Sequence, residues 1–157
     1  MEHRRIASGS PWEQRVGYSR VVRAGPHVAV SGTTGTDEHG VVAGPDAYTQ
    51  AKAAFARIVD ALRAAGASPR DVVRTRMYVT DIAHWDEVGK AHAEVFGDVR
   101  PAATMVEVRR LAHPDMMIEI EADAYAGGAS SKTVAPARKS SKKPAAKKAP
   151  KKRSRRK

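Results

Sequence analysis

Two glutamates in the last predicted strand are the first candidates for acid–base chemistry. Glu119 and Glu121 lie two residues apart in an alternating segment, so both side chains project from the same face of one strand. A carboxylate held in this way can position a water molecule or accept its proton during attack on a substrate. The alternative is ion pairing with arginines on other strands, of which the candidates are Arg74, Arg76 and Arg109. From these residues alone both roles stay open.

The remaining reactive side chains exclude several other chemistries. The chain has six histidines and no cysteine, so thiolate nucleophiles, thiolate metal sites and disulfides are excluded. No two histidines have the spacing of a helical metal pair, and the glycines at 32–40 form no phosphate-binding motif, so we predict neither a metal nor a cofactor. His92 falls on an apolar helix stripe and is predicted to be a core residue.

The elements that must position these groups follow from hydrophobic periodicity. Apolar residues at three- and four-residue steps predict helices over 46–65 and 84–96, the second with Trp85 in its apolar stripe. Alternation predicts the strands, which are 19–24, 28–30, 71–81, 102–111 and 116–125. The order β-β-α-β-α-β-β indicates an α+β domain in which two helices cover one face of a sheet.

The other face of this sheet is predicted to be a subunit interface. Its side chains combine apolar groups with charges of both signs, a mixture unsuited to either a core or a wet surface. The residues assigned to it are Arg74, Arg76, Tyr78, Met105, Glu107, Arg109, Glu119 and Glu121. On the opposite face of the 71–81 strand we place Val73, together with Thr75, Met77 and Val79.

The charge of the chain is divided between two parts. Of its 28 lysines and arginines, 13 lie in residues 127–157, which contain no acidic residue. Residues 1–126 therefore keep 15 basic against 17 acidic residues, and the formal charge of +11 describes neither part. We predict a near-neutral domain over 1–126 followed by a basic segment over 127–157.

The basic segment is predicted to be disordered and to bind nucleic acid without sequence preference. It has no aromatic residue and too few apolar groups to form a core, and its Lys-Pro-Ala composition resembles histone H1-like tails. Such a segment attracts phosphates but does not read bases. An inert solubility tail is the alternative. The phosphate-binding residues would be Lys139, Lys142, Lys143, Lys147, Lys148, Lys151, Lys152, Arg153, Arg155 and Arg156.

Several separate segments resemble the Rid/YjgF family, also known as endoribonuclease L-PSP. They are Gly17-Tyr18-Ser19, Val28-Ala29-Val30-Ser31-Gly32, Ala64-Ala65-Gly66-Ala67-Ser68, Tyr78-Val79-Thr80-Asp81, the stretch from Pro101 to Val108, and Ile118-Glu119-Ile120-Glu121-Ala122. The resemblance covers about residues 6–126. It implies a chorismate-mutase-like fold and a homotrimer with a central barrel and a ligand cleft at each subunit interface. It also implies hydrolysis of imines or enamines to 2-oxo acids and ammonia.

The family's cleft residues are only partly present. The resemblance makes Glu119 the water-activating catalytic residue and Tyr18, Ser31 and Gly32 cleft residues. Three further cleft positions carry Ala103, Thr104 and Met105, and Ala103 stands where the family has the arginine that holds the substrate carboxylate. Because such a bidentate contact contributes about 2–5 kcal/mol, its loss argues against efficient deamination of the standard kind.

Two ways to accommodate this loss remain open. Another arginine could hold the carboxylate, with Arg20, Arg76 and Arg109 as candidates, or Ala103 and Met105 could form a wider cleft for a ligand without a carboxylate. The alternative function is a catalytically silent trimer that presents its basic tails to DNA or RNA. We expect a cytoplasmic protein with no membrane partner. Its basic tail would associate the protein with the nucleoid.

Overall fold

The computed structural model describes residues 3–37 and 39–127. The strands are β1 (His3–Ile6), β2 (Val21–Ala24), β3 (His27–Thr34), β4 (Val72–Val79), β5 (Ala102–Glu107) and β6 (Ile118–Tyr125). The helices are α1 (Pro11–Val16), α2 (Ala47–Ala64) and α3 (Trp85–Phe96), and short 3₁₀ turns cover Pro69–Asp71 and Ile82–His84. Within these described residues, no helix is long and apolar enough to cross a membrane.

The strands form one mixed sheet in the order β1-β2-β3-β6-β4-β5. Only β4 and β5 run parallel, and α3 connects them as the crossover helix. Helices α2 and α3 pack against each other, and α2 packs on β3 and β6. The predicted α+β architecture with two long helices on one face is therefore confirmed. Strand β1 and the short helix α1 precede the predicted elements and carry no periodic apolar pattern in the sequence.

Helix α2 agrees closely with its sequence prediction. Asp46 caps its N-terminus by accepting a hydrogen bond from the Thr49 amide at 2.8 Å. Gly66 follows its C-terminus with φ +73°, a left-handed conformation that glycine adopts at little cost. Phe55, Ile58 and Leu62 are fully buried beneath it, so the predicted apolar stripe is the one that meets the sheet.

Two residues predicted to be inside are exposed. The Trp85 side chain is 60% exposed at the first position of α3, where the turn from β4 holds it outside the helix–sheet contact; the buried residues of α3 are Val88, Ala91 and Phe96. Val73 is 51% exposed because a register shift between Val72 and Arg74 inserts a bulge in β4. The bulge moves the inward position to Val72, so strict alternation assigns this end of the strand wrongly.

The prediction also placed two β5 side chains on the wrong face of the sheet. In the parallel β4–β5 pair, Met105 lies beside Met77 and Glu107 lies beside Val79, and both β4 residues are buried on the helix face. Met105 and Glu107 therefore point to the helix side rather than to the open face. Arg109 is on neither face, because β5 ends at Glu107 and Arg109 belongs to the following loop.

Candidate functional site

A hydrogen-bonded polar cluster lies where the start of β2 meets a bulge in β3. Arg20 is only 7% exposed. Its Nη1 donates to the Gly32 carbonyl at 2.6 Å and to Thr33 Oγ1 at 2.9 Å. Its Nη2 donates to the Tyr18 hydroxyl at 3.1 Å. One guanidinium thus joins the predicted cleft residues Tyr18 and Gly32.

Ser31 belongs to the same cluster through two hydrogen bonds. Its hydroxyl donates to the Ser19 carbonyl at 2.7 Å, and its amide donates to the Arg20 carbonyl at 3.0 Å. The register of β3 against β6 shifts between Val30 and Thr33, and this irregularity contains Ser31 and Gly32. The bulge turns the backbone of these two residues toward β6, on which Glu119 lies.

Glu119 fills the space beside Gly32. A Cβ atom added to Gly32 would lie 2.2 Å from Glu119 Oε1, closer than atoms can approach. Glycine at position 32 therefore leaves the room that the carboxylate occupies. Burial raises the pKa of Glu119, the neighbouring Glu121 raises it further, and the positive charge of Arg20 opposes both. A half-buried carboxyl with a raised pKa is a stronger base than an ordinary glutamate and is suited to accept a proton from water.

Glu121 belongs to a charge network on the open face of the sheet. Arg76 Nη1 lies 3.4 Å from a Glu121 oxygen and 3.2 Å from an Asp123 oxygen. The Tyr78 hydroxyl donates to Glu121 at 3.3 Å, and burial, followed by the charge of Glu121, raises the pKa of Tyr78. The ion-pairing role left open for Glu121 is therefore present, whereas Glu119 makes no ion pair with the residues that the structure describes.

The structure thus groups Tyr18, Ser31 and Gly32 around Arg20, with Glu119 against Gly32, and sets the other predicted cleft residues apart. Two strand spacings, about 10 Å, separate β5 from β6. Ala103 lies beside Thr75 and Met105 beside Met77, both on the helix face. Thr104 lies beside Arg76 and is the member of the three that shares the open face with Glu119.

Two of the three substitute arginines are already occupied. Arg20 donates to the backbone and to Tyr18, and Arg76 contacts Glu121 and Asp123. Arg20 therefore offers no free fork of N–H donors to a carboxylate, whereas the contacts of Arg76 involve its Nη1 atom. Arg109 is exposed in the loop between β5 and β6.

Sequence reasoning missed the residue behind Arg20. Glu13 of α1 is buried, and its Oε1 lies 3.9 Å from Arg20 Nε. Both the amide and the hydroxyl of Ser8 donate to the Glu13 carboxylate, at 3.0 and 2.7 Å. Arg20 Nε is buried and has no hydrogen-bond partner among the described residues. No periodic signal surrounds Glu13, so the sequence offered no means of finding it.

The remaining candidate groups are the histidines and the basic tail residues. His92 bonds Thr75 Oγ1 at 3.0 Å beneath the helices, in agreement with a core role. Across residues 3–37 and 39–127 no histidine and carboxylate groups gather into a possible metal site. The predicted phosphate-binding residues, from Lys139 to Arg156, lie outside the described part of the chain.

Comparison with known proteins decides the family. Residues 10–126 match the family described as Endoribonuclease L-PSP. The chain belongs to the Rid/YjgF family. The family prediction made from the sequence motifs is therefore confirmed over most of the chain.

Individual relatives agree with this assignment. A crystal structure of a YjgF/YER057c/UK114 family member from Mycobacterium tuberculosis is 52% identical, with a TM-score of 0.73 over 79% of this chain and 99% of that one. An uncharacterized protein of Streptomyces coelicolor is 38% identical over 128 residues, 82% of this chain and 96% of that protein. The 3-aminoacrylate deaminase RutC of Acinetobacter baylyi is 34% identical over 109 residues, 69% of this chain and 86% of the enzyme. The mixed α+β fold is that of the solved Rid/YjgF proteins, the chorismate-mutase-like fold expected from the motifs.

Proposed function

We propose that this Rid-family protein hydrolyses a small reactive imine or enamine, with Glu119 as the residue that activates water. The observation that carries the proposal is the half-buried Glu119 carboxyl, whose pKa is raised by burial, against Gly32 of the β3 bulge that Arg20 links to Tyr18. A relative that acts on a 3-aminoacrylate supports the reaction class.

The chemistry assigns a clear task to Glu119. Its carboxylate accepts a proton from water as the water oxygen bonds to the imine carbon, and the C=N electron pair moves to nitrogen, which is protonated. Collapse of the resulting aminoalcohol breaks the C–N bond and releases ammonia and a carbonyl product. Water is the only co-reactant, so no metal or redox cofactor is required.

We further propose a homotrimer whose clefts combine the two groups of cleft residues from different subunits. In one protomer Ala103 and Met105 face the helix side at one edge of the sheet, whereas Glu119 and Tyr18 lie two or more strands away. A cleft shared between subunits lets both groups meet one ligand. The mixed charges and apolar groups of the open face, including the Arg76 network and Val106, support burial of that face in the assembly.

The preferred substrate of this cleft is one without a carboxylate. Ala103 supplies no donor, and Arg20 and Arg76 are occupied by internal acceptors. Glu119, Glu121 and Asp123 would also repel an anionic group near the open face. Arg109 remains as the alternative carboxylate holder, and restoring an arginine at position 103 distinguishes the two explanations.

The test is hydrolysis of 2-iminobutanoate by the purified full-length protein at several pH values. We expect slow turnover, a loss of about 100-fold or more in Glu119→Gln, and little change in the surface control Glu87→Gln. Ala103→Arg should increase kcat/KM by about 10-fold or more, since it restores a bidentate contact. A wild-type rate equal to that of an arginine-bearing family member would show that Ala103 does not limit the reaction.

The second candidate function is a binding module, and the tail composition favours it. The 13 basic residues of 127–157 have no acidic partner within that segment, so we propose that the tail binds nucleic acid through phosphates. A trimer would present three tails on one body and gain affinity through their effective concentration. With no turnover on any imine, a silent trimer that carries these tails becomes the better description.

Salt dependence tests the tail directly. If about five to eight phosphates are neutralised, log K on duplex DNA should fall against log salt with a slope of roughly −4 to −7. Fluorescence anisotropy of full-length protein and a 1–126 truncation at several salt concentrations measures this slope. Equal binding by the two proteins would contradict the proposed role of the tail. A preference for single-stranded RNA would identify RNA, rather than duplex DNA, as the ligand of the tail.

A further inference from the structure

Arg20 differs from an ordinary surface arginine in where its hydrogen bonds go. Its acceptors are the Ser31 and Gly32 carbonyls, Thr33 Oγ1 and the Tyr18 hydroxyl. The backbone of Gly32 forms a wall against the Glu119 carboxylate, and Tyr18 is joined to this wall through its hydrogen bond with Arg20. One buried guanidinium therefore sets the shape of that wall.

The Arg20 side chain also lies close to the buried carboxylate of Glu13. Glu13 Oε1 lies 3.9 Å from its Nε, and Ser8 donates two groups to the Glu13 carboxylate. A buried cation costs several kcal/mol to desolvate unless a counter-charge and good acceptors surround it. Arg20 has both, and it lies close enough to Glu119 to influence that carboxyl.

We propose that Arg20 is a positioning residue of the Glu119 site, which holds Tyr18 and the Ser31–Gly32 bulge in place and supplies the positive charge that keeps Glu119 available as a base. This inference rests on the proposed function, since it assigns Glu119 the role of base. Arg20 does not bind the substrate, because its N–H groups already have protein acceptors or face Glu13. It acts through Glu119 and Tyr18.

The electrostatic consequence has a definite sign. Burial and Glu121 raise the pKa of Glu119, and Arg20 lowers it. Without Arg20 the carboxyl should hold its proton to higher pH. The base would then be protonated over a wider range, and the acid limb of the pH–rate profile would move to higher pH.

Another arginine provides a matched control. Arg23 also donates to several backbone carbonyls, among them Ala65 at 2.7 Å and Ala126 at 2.9 Å. It joins the end of α2 to the end of β6, at the opposite end of β2 from Arg20. Arg23→Gln should therefore lower the unfolding temperature without changing the titration of Glu119.

The decisive experiment titrates Glu119 directly, so that it does not depend on turnover. Full-length protein with ¹³C-labelled glutamate carboxyls is followed by NMR against pH, and the Glu119 signal is assigned by its loss in Glu119→Gln. We expect the midpoint to move to higher pH in Arg20→Gln and to stay unchanged in Arg23→Gln. An unchanged midpoint in folded Arg20→Gln, or an equal shift in Arg23→Gln, overturns the proposal.

Arg20→Lys covers the case in which Arg20→Gln does not fold. A lysine keeps the charge but cannot reach both the Gly32 carbonyl and the Tyr18 hydroxyl. The Glu119 midpoint should then stay near its wild-type pH, while the Tyr18 ring and Gly32 amide resonances move and kcat for any imine falls about 10- to 100-fold. Unmoved resonances in this variant overturn the positioning role. If imine turnover is absent in the wild type while the titration behaves as expected, only the proposed reaction fails.

Discussion

Glu119 and Gly32 share a space that allows little variation. Glu119 Oε1 lies where the Cβ of any other residue at position 32 would be, and the bulge that carries Gly32 is held by Arg20 and Ser31. Glycine at this point makes room by close approach rather than by a left-handed backbone, and any larger residue would displace the end of the Glu119 side chain. The orientation of the Glu119 carboxylate thus depends on the absence of a side chain at position 32.

Gly32→Ala is expected to displace Glu119 and to impair activity more than stability. The methyl group must push the carboxylate aside, at a cost of about 1–3 kcal/mol in unfolding free energy, typical of overpacking. A displacement of about 1 Å at a catalytic group should lower kcat by about 100-fold. Chemical denaturation and imine hydrolysis measure the two effects.

Gly89→Ala is the matched control for this substitution. An added Cβ at Gly89 on α3 meets no atom within 4 Å, so alanine should stabilise the helix by about 0.5–1 kcal/mol and leave activity unchanged. A fully active Gly32→Ala would mean that Glu119 does not need its observed position.

His92 makes stability depend on pH. Burial lowers its pKa, so the folded state favours neutral imidazole while the unfolded chain titrates near its ordinary value of about 6.5. The unfolded state therefore binds more protons as the pH falls below about 6.5, and the stability present above that pH is lost progressively down through the lowered folded pKa. The free energy of unfolding should decline over this range.

Substitution isolates the contribution of His92. In His92→Gln an amide replaces the imidazole near Thr75, so the protein should be less stable overall but should lose less stability between about pH 7 and 5. Urea denaturation at several pH values measures this slope. An unchanged slope in His92→Gln would remove His92 as its source.

At the scale of elements, periodicity identified the long helices and the buried strand β6 well. Asp46, Phe55 and Gly66 carry a capped, amphipathic pattern that needs no tertiary information. The pattern failed at β4 and β5, because a bulge near Val73 shifts alternation by one residue and nothing in the sequence sets the register between the two strands. The motif residues Tyr18 and Glu119 were found by resemblance, whereas the contacts of Arg20 and Glu13 depend on three-dimensional placement.

Gln50 shows how α2 positions the start of β6. The side chain is 2% exposed, donates to the Asp115 carbonyl at 3.0 Å and the Gly44 carbonyl at 3.2 Å, and accepts from the Met117 amide at 2.9 Å. Since Glu119 follows Met117 by two residues, these bonds fix the backbone on which it stands. Buried polar side chains of this kind hold loops in one conformation.

Gln50→Leu should destabilise the fold and disturb the site. The similar-sized side chain leaves the half-buried Met117 amide and the carbonyls of Gly44 and Asp115 without their partner, so we expect a loss of about 1–3 kcal/mol in unfolding free energy. Guanidinium denaturation provides the measurement. Gln14→Leu on exposed α1 should cost less than about 0.5 kcal/mol. Equal effects in the two variants would show that the Gln50 bonds contribute no net stability.

For the whole molecule, the two faces of the sheet have different tasks. One face is covered by α2 and α3, and the other carries the Arg76 network beside the Glu119 site. The net charge of the whole chain does not describe the charge of the domain, because 13 of its 28 basic residues lie beyond residue 126. The charges of the domain are instead largely balanced and available for pairing on this open face.

Arg76 is the residue whose loss should weaken the proposed trimer most clearly. Its guanidinium lies between Glu121 and Asp123, with Glu119 on the same strand, so Arg76→Gln would remove the cation that contacts both carboxylates. In an assembly that buries this face, unpaired charges destabilise the interface by several kcal/mol, so the dissociation constant should rise by 10-fold or more.

Light scattering across a dilution series tests this prediction. Wild-type protein should have three times the protomer mass at micromolar concentration, and Arg76→Gln should dissociate at higher concentration. The control Arg63→Gln removes an exposed pair with Asp60 on α2, outside the proposed interface, and should assemble as the wild type does. A wild-type monomer would refute the trimer itself, whereas a trimer unaffected by Arg76→Gln would place the subunit contact away from Glu121 and Asp123, because burial of these carboxylates without Arg76 should weaken assembly.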